Sequence, residues 1–263
     1  MVNKIYRQSC QINPDITWQS DKTVTINPQT TNRELNKPFK KITGTKFASI
    51  LDKNPYSTKF ETWCDITHTF VKDIPPNKYT KAGVTIEPKQ ADYCKYDLGM
   101  SNLIRPNELY GNNYFKRLKG NFFTDEIFGG MWDYLLLDKY GNPLTVLEMK
   151  TTKNVEHWKD DIPEYYALQA SLYAYLLHAE QVYMVASFLI QDDYNATELY
   201  TPSRENTIIV PFKLHERYPN FETDYIDRVK DWYYTYIVKK QSPKYDLAKD
   251  KVLLKELEKK YGR

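Results

Sequence analysis

Two strand patterns on either side of one long helical pattern restrict the fold more than any other feature of the sequence. Residues Val182 to Ile190 are almost continuously apolar, which is typical of a strand buried on both faces of a sheet. The strand pattern Leu144 to Lys150 precedes it, and the sequence between predicts a helix from Glu164 to His178 with Pro163 at its first turn. Strand, helix and strand in this order form a right-handed crossover between parallel neighbours. We therefore expect a mixed sheet with helices on its faces.

Further elements are predicted around this unit. The predicted strands are Thr23–Ile26, Phe122–Phe128, Met131–Leu137 and Thr207–Phe212. The predicted helices are Thr45–Leu51, Thr58–Thr69, Lys81–Lys95 and most of Asn220–Tyr261, and Asp73–Tyr79 is predicted as a loop. We expect three regions, namely an N-terminal arm (1–38), a core (39–215) and a C-terminal helical extension packed on the core (216–263).

Composition excludes several classes of protein. The chain has 263 residues, of which 41% are hydrophobic and 27% charged, so it is expected to fold around a core. No apolar run approaches the roughly 18 residues that cross a bilayer, and the polar start predicts no signal peptide. The three cysteines, Cys10, Cys64 and Cys94, form no CxxC pair, which argues against disulfides and structural zinc. The net charge of +3 permits nucleic-acid binding without indicating it.

The strongest chemical signal lies in the hairpin predicted before the long helix. Glu148 and Lys150 are two residues apart on a strand, so their side chains share one face, and Asp133 lies on the preceding strand. Two carboxylates beside a lysine suit Mg²⁺ or Mn²⁺, and the lysine can offset charge that develops on a phosphate. The alternative is an exposed salt bridge on a surface hairpin, because Glu-x-Lys alone is common.

Two more polar features accompany the hairpin. Gln169 and Tyr173 share one face of the long apolar helix, where a glutamine needs a hydrogen-bond partner; an ordinary core helix with a polar edge is the alternative. Gly83 precedes Glu87 by one helical turn and lets the backbone approach a ligand; the alternative is a solvated glutamate. Glu108 is the rival to Glu87, since it also precedes the hairpin.

Taken in order, these residues resemble the PD-(D/E)XK nuclease superfamily. The resemblance is closest to its lambda-exonuclease-like branch, also called the YqaJ-like viral recombinases or phage-type exonucleases, and it runs from Lys41 to Phe212. The matching motifs are Gly83-xxx-Glu87-Pro88, Gly130-x-x-Asp133, Glu148-x-Lys150, Gln169-xxx-Tyr173 and an opening Ile42-Thr43-Gly44-Thr45 with Asn54-Pro55-Tyr56. The resemblance implies an α/β (α+β) fold with a restriction-endonuclease-like core, in which helices flank a mixed central β-sheet.

The resemblance also implies roles for individual residues. The ligands of two Mg²⁺ ions, which Mn²⁺ can replace, would be Glu87, Asp133, Glu148 and the Met149 carbonyl. Lys150 would be the catalytic lysine, and Gln169 would support the site. The residues expected to contact DNA are Thr45, whose hydroxyl would lie near a 5′-phosphate, with Lys46, Lys41 and Tyr173. Where the family has an arginine this chain has Pro38, so Lys37, Lys40, Lys41 or Lys46 would have to replace it, and Trp132 before Asp133 is expected to pack.

The implied function is a metal-dependent DNA nuclease, specifically a phage or prophage 5′→3′ double-strand exonuclease active in recombination. The implied partner is a single-strand annealing protein, and the implied location is the cytoplasm of a bacterial host; a homo-oligomer is one of the open oligomeric states. The alternatives are an endonuclease or structure-specific nuclease on the same core, a catalytically silent DNA-binding module, and a protein-interaction domain. The intact acidic residues and Lys150 argue against a silent module, and three cysteines are too few for an iron–sulfur relative.

Overall fold

The computed structural model describes residues 16–27, 38–72, 75 and 77–262. Most of the predicted N-terminal arm and part of the predicted loop 73–79 therefore lie outside the described residues. The strands are β1 (Ile16–Trp18), β2 (Val24–Ile26), β3 (Leu103–Ile104), β4 (Tyr134–Leu137), β5 (Pro143–Thr152), β6 (Gln181–Phe188) and β7 (Thr207–Lys213). The α-helices are α1 (Gly44–Ile50), α2 (Lys59–Ile66), α3 (Lys78–Asp92), α4 (Pro106–Tyr110), α5 (Tyr114–Arg117), α6 (Glu164–Leu177), α7 (Gln191–Asn195), α8 (Leu214–Arg217), α9 (Asp227–Trp232) and α10 (Lys251–Tyr261). Val155–Trp158 is a 3₁₀-helix, and Tyr93–Asp97, Glu222–Ile226 and Tyr233–Val238 are π-helical.

The described residues fall into two compact units, one from the segments 16–27, 38–40, 57–72 and 232–262, the other from 41–56, 75 and 77–231. In the first unit β1 and β2 form an antiparallel hairpin, and α2 supplies the buried Phe60 and Trp63. The indole of Trp63 donates to the carbonyl of Tyr236 at 3.0 Å, which fixes α2 against the C-terminal segment. These two units do not follow the boundaries of the three predicted regions. The boundaries of those regions stay predictions.

The second unit contains a mixed sheet whose described strands lie in the order β3-β4-β5-β6-β7. The pair β5 and β6 is parallel over eight residues, from Thr145↔Gln181 to Thr152↔Phe188, and the other neighbouring pairs are antiparallel. Helix α6 connects the parallel pair and starts directly after Pro163. The predicted helical connection between parallel neighbours and the mixed α/β fold are therefore confirmed, and the right hand of the crossover stays a prediction.

Turn hydrogen bonds and left-handed backbone conformations explain where β4 and α6 end. The β4–β5 turn closes because Asp138 Oδ1 accepts hydrogen bonds from the backbone N–H groups of Tyr140 (2.8 Å) and Asn142 (2.9 Å). Gly141 has a φ of +86° in this turn, a conformation that favours glycine. Helix α6 ends at His178, whose φ of +54° is left-handed.

The predicted strand Phe122–Phe128 is wrong. In the structure these residues form a loop, because Asp125 Oδ1 accepts from the backbone N–H groups of Ile127 and Phe128, and Asn121 Oδ1 accepts from that of Gly130. The run does not join the five-stranded sheet: Phe128 forms an isolated bridge with Ile42, and Phe122 packs on Trp132 with their ring centres 5.0 Å apart. The following strand also starts later than predicted, at Tyr134, so Asp133 precedes the strand.

Candidate active site

Glu148 and Lys150 meet on one face of β5, as their spacing predicts. Lys150 Nζ donates to Glu148 Oε1 at 2.6 Å, and the Glu148 side chain is only 1% exposed. Gln169 Nε2, from α6, donates to the same Glu148 oxygen. The pair is therefore buried under α6, and the alternative of an exposed salt bridge is excluded.

Asp133 joins this pair because β4 begins one residue later. The first paired residues of β4 and β5 are Tyr134 and Leu147, so the N–H of Met149 lies beyond the end of the β4 ladder. Asp133 Oδ2 accepts that N–H at 2.8 Å and takes the place of a strand partner. The local end of one strand thus positions a carboxylate beside Glu148, and the Met149 carbonyl stays a predicted ligand.

Glu87 approaches from α3, which packs on β5. Burial and then the neighbouring Asp133 carboxylate raise the pKa of Glu87 to about 7, while Lys150 acts in the opposite direction. The rival Glu108 lies elsewhere, because its Oε2 accepts the backbone N–H of Arg105 at 2.6 Å and caps α4. Of the two candidates, Glu87 is the one in electrostatic contact with the cluster.

The electrostatics of the cluster favour a cationic ligand. Burial and then Asp133 raise the pKa of Glu148 to about 8, and burial also raises that of Asp133. Burial alone would lower the pKa of Lys150, but the carboxylates of Glu148 and Asp133 outweigh it and raise that pKa. Three carboxylates and one ammonium, all ionised, sum to −2, a charge that one divalent cation balances.

The donor set fits a divalent cation, although the described residues include no group of three or more His, Cys, Asp or Glu side chains already arranged around a metal position. Glu148 Oε2 is buried without a hydrogen-bond partner, which is costly for a carboxylate oxygen unless a ligand meets it. Carboxylate oxygens are also the ligands that Mg²⁺ prefers. Metal binding by Glu87, Asp133 and Glu148 stays a prediction.

Sequence reasoning missed Gln90, which lies almost one turn after Glu87 on α3. It is fully buried, and its Nε2 donates to the carbonyl of Lys150 at 2.9 Å and to Ser187 Oγ at 3.0 Å. These bonds hold α3 against β5 and β6 and so keep Glu87 at the cluster. A polar side chain at the core-facing position of α3 was the available signal.

Gly44 and Tyr173 fix the position of Gln169. A Cβ on Gly44 would lie 2.4 Å from Gln169 Cγ, so only glycine lets α1 approach α6 this closely. The hydroxyl of Tyr173 accepts the N–H of Gly44 at 3.4 Å, and the Tyr173 side chain is only 4% exposed. Tyr173 is thus a buried residue that positions α1 against α6, and its expected contact with DNA stays a prediction.

The other residues expected to contact DNA differ in exposure. Lys41 Nζ donates hydrogen bonds to the carbonyls of Phe123 (3.1 Å) and Asp125, so its ammonium stabilises the loop 122–128. Thr45 is exposed on α1 and lines a cavity of about 210 Å³ beside Gln169, and Lys46 is half-buried next to it. Trp132 packs in the core as expected.

The model of one protein family, the YqaJ-like viral recombinase domain, matches residues 35–180, which is more than half of the chain. The chain belongs to this family. The matched range includes every residue of the cluster, from Glu87 to Gln169.

Two mycoplasma proteins are similar in sequence to this YqaJ-like chain. One is the uncharacterized protein MG373 of Mycoplasma genitalium, which is 27% identical over 247 residues, covering 78% of this chain and 84% of the relative. The other is its homolog from Mycoplasma pneumoniae, which is 25% identical and covers 78% of this chain and 83% of the relative.

Solved structures similar to this YqaJ-like chain include a phage related exonuclease from Haemophilus somnus, with a TM-score of 0.46, 13% identity, and coverage of 76% of this chain and 96% of that one. Another is the alkaline exonuclease LHK-Exo from Laribacter hongkongensis, with a TM-score of 0.45, 15% identity, and coverage of 84% and 92%. Within the described part of the chain, no helix has the length and apolar character needed to span a bilayer.

Proposed function

We propose that this YqaJ-like chain is a divalent-cation-dependent DNA nuclease that hydrolyses phosphodiester bonds at the Glu87, Asp133, Glu148 and Lys150 cluster. The observation that carries the proposal is the buried Glu148, whose Oε1 is held by Lys150 and Gln169 while its Oε2 has no hydrogen-bond partner. Membership of a viral recombinase family supports DNA as the substrate.

The residues of the chain have separate tasks in this proposal. Glu87, Asp133 and Glu148 hold the cation, and Gln169 keeps Glu148 turned toward it. When bound, the cation supplies positive charge to the scissile phosphate and lowers the pKa of water near it. Lys150 stays protonated between the carboxylates and offsets the negative charge that grows on the phosphate in the transition state.

The number of ions follows from the charge of the site. The cluster balances one divalent ion, so a second Mg²⁺, which Mn²⁺ could replace, requires the negative charge of the DNA phosphate. We therefore propose that the second ion binds together with the substrate.

We further propose that the chain is a 5′→3′ exonuclease that acts on duplex ends in phage-type recombination, with a single-strand annealing protein as its partner. Its oligomeric state is left open, and a homo-oligomer is one of the alternatives. The test is digestion of a linear duplex labelled at either end, beside a closed circular duplex, in Mg²⁺ and in EDTA. We expect loss of the linear duplex from its 5′ ends in Mg²⁺ alone. Cleavage of the circle would identify an endonuclease, and no cleavage of any substrate would contradict nuclease activity.

A further inference from the structure

A tyrosine-lined cavity opens beside the cluster. Of the described residues that line it, Tyr56, Tyr165 and Tyr166 are the large ones, and none is a lysine or arginine. The rings of Tyr56 and Tyr165 meet edge to face at 5.7 Å, and those of Tyr165 and Tyr166 lie 4.2 Å apart. A cavity with aromatic walls and without a cation suits a flat, neutral ring better than a phosphate.

The aromatic surface continues past Lys150 to the start of α3. Lys150 Nζ lies 5.1 Å from the centre of the Tyr166 ring. Beyond it, Tyr79 packs edge to face on the buried Tyr194 at 5.0 Å. Tyr79 lies at the same end of β5 as Lys150, because Lys153, the residue directly after β5, brings its Nζ to 5.9 Å from the Tyr79 ring centre. Tyr56, Tyr165, Tyr166 and Tyr79 therefore form one band, the tyrosine track.

Lysines are interleaved with this track. Lys78 Nζ lies 5.3 Å from the centre of the Tyr79 ring. Lys153, directly after β5, places its Nζ 5.9 Å from the same ring centre. Lys78 is held in place by Gln191, whose Oε1 accepts from its Nζ at 3.0 Å. Tyr56 and Tyr79 are 67% and 47% exposed, so their rings are accessible to a ligand.

Aromatic faces that alternate with ammonium groups match the chemistry of a single nucleic-acid strand, whose bases are free to stack and whose phosphates are anionic. A duplex presents phosphates but keeps its base faces stacked inside. We propose that the tyrosine track binds unpaired bases of single-stranded DNA and leads the strand across the Glu148–Lys150 site. The path across a cutting site rests on the proposed function, but binding to the track does not.

The experiment measures binding without cleavage. Fluorescence anisotropy in Ca²⁺ compares a labelled single-stranded dT 15-mer with a blunt 15-base-pair duplex, and a gel confirms that each probe stays intact. The variants are Tyr56→Leu, Tyr79→Leu, Tyr56→Phe and Tyr79→Phe. The matched control is Tyr140→Leu, because Tyr140 is exposed and has a lysine, Lys139, 4.8 Å from its ring centre, but it lies in the β4–β5 turn.

We expect each leucine variant of the track to weaken single-strand binding about tenfold and to change duplex binding less than twofold, because only the single strand loses a stacked base. The phenylalanine variants and Tyr140→Leu should bind as the wild type does. Unchanged single-strand binding, an equal loss for the duplex, or a loss in the phenylalanine variants would overturn the proposal. A chain that fails to cut DNA but shows the expected pattern would contradict the proposed nuclease and leave the track established.

Discussion

Carboxylates of the same type have different roles in this chain because different groups contact them. Glu108 accepts a backbone N–H at the start of α4 and stays near solvent, whereas Glu87 is drawn into the cluster by the packing of α3. Burial beside Asp133 makes the charged form of Glu87 costly in the absence of a cation. Glu108 therefore serves as the control when the role of Glu87 in cation binding is tested.

We expect Glu87→Gln to lower cleavage strongly at low Mg²⁺ and to recover in part at high Mg²⁺ or in Mn²⁺, which binds such sites more tightly. Calorimetric titration with Mn²⁺ and a cleavage assay over a range of Mg²⁺ concentrations measure this. Glu108→Gln is the control, since glutamine also caps a helix at this position. Full activity of Glu87→Gln at low Mg²⁺ would remove Glu87 from the site.

At the scale of elements, the site depends on how closely α1 and α3 approach their neighbours. Gly44 lets α1 contact Gln169 directly, whereas a Cβ on Gly83 of α3 would meet nothing nearer than Thr151 Oγ1 at 4.0 Å. The chain itself therefore does not need a glycine at position 83, and the expected approach of a ligand to the backbone there stays a prediction. Close approach is required at Gly44 instead.

A pair of alanine variants tests this difference. Gly44→Ala should destabilise the fold by about 1–3 kcal/mol through overpacking and lower cleavage by displacing Gln169. Gly83→Ala should stabilise α3 by about 0.5–1 kcal/mol, because alanine loses less backbone entropy in a helix. Thermal unfolding of both variants is the measurement, and a Gly44→Ala protein as stable and active as the wild type would contradict the packing described here.

The elements that sequence predicted well are those with a strong local pattern. The buried strand β6, helix α6 and the Glu148-x-Lys150 face follow directly from hydrophobic periodicity and alternation. The loop 122–128 was mistaken for a strand, because its aromatic residues are compatible with either state and only the side chains of Asn121 and Asp125 decide. Gln90 and the tyrosine track were missed because their partners lie far away in sequence.

At the scale of the whole molecule, the net charge of +3 conceals a cluster that carries −2 when its three carboxylates and its lysine are all ionised. Repulsion among the three carboxylates opposes folding, and a bound cation relieves it. A ligand that binds only the folded state stabilises it by about 2.7 kcal/mol at a hundred times its dissociation constant. The stability of this chain is therefore expected to depend on divalent cations.

We expect Mg²⁺ to raise the melting temperature of the wild type relative to EDTA and to raise that of Glu148→Gln much less. Differential scanning calorimetry at constant ionic strength separates the specific effect from general screening. The same rise in both proteins would mean that the cation stabilises the chain at another place.

The central claim is that the cluster on β5 is the active site of a nuclease, and cleavage by Lys150→Ala tests it most directly. Single-turnover digestion of a linear duplex in Mg²⁺ compares this variant with the wild type and with Lys139→Ala, in which an exposed lysine of the β4–β5 turn is removed. We expect Lys150→Ala to cut at least about a hundredfold more slowly while binding DNA normally, because the lysine acts mainly on the transition state. Cleavage by Lys150→Ala at the wild-type rate would contradict the claim.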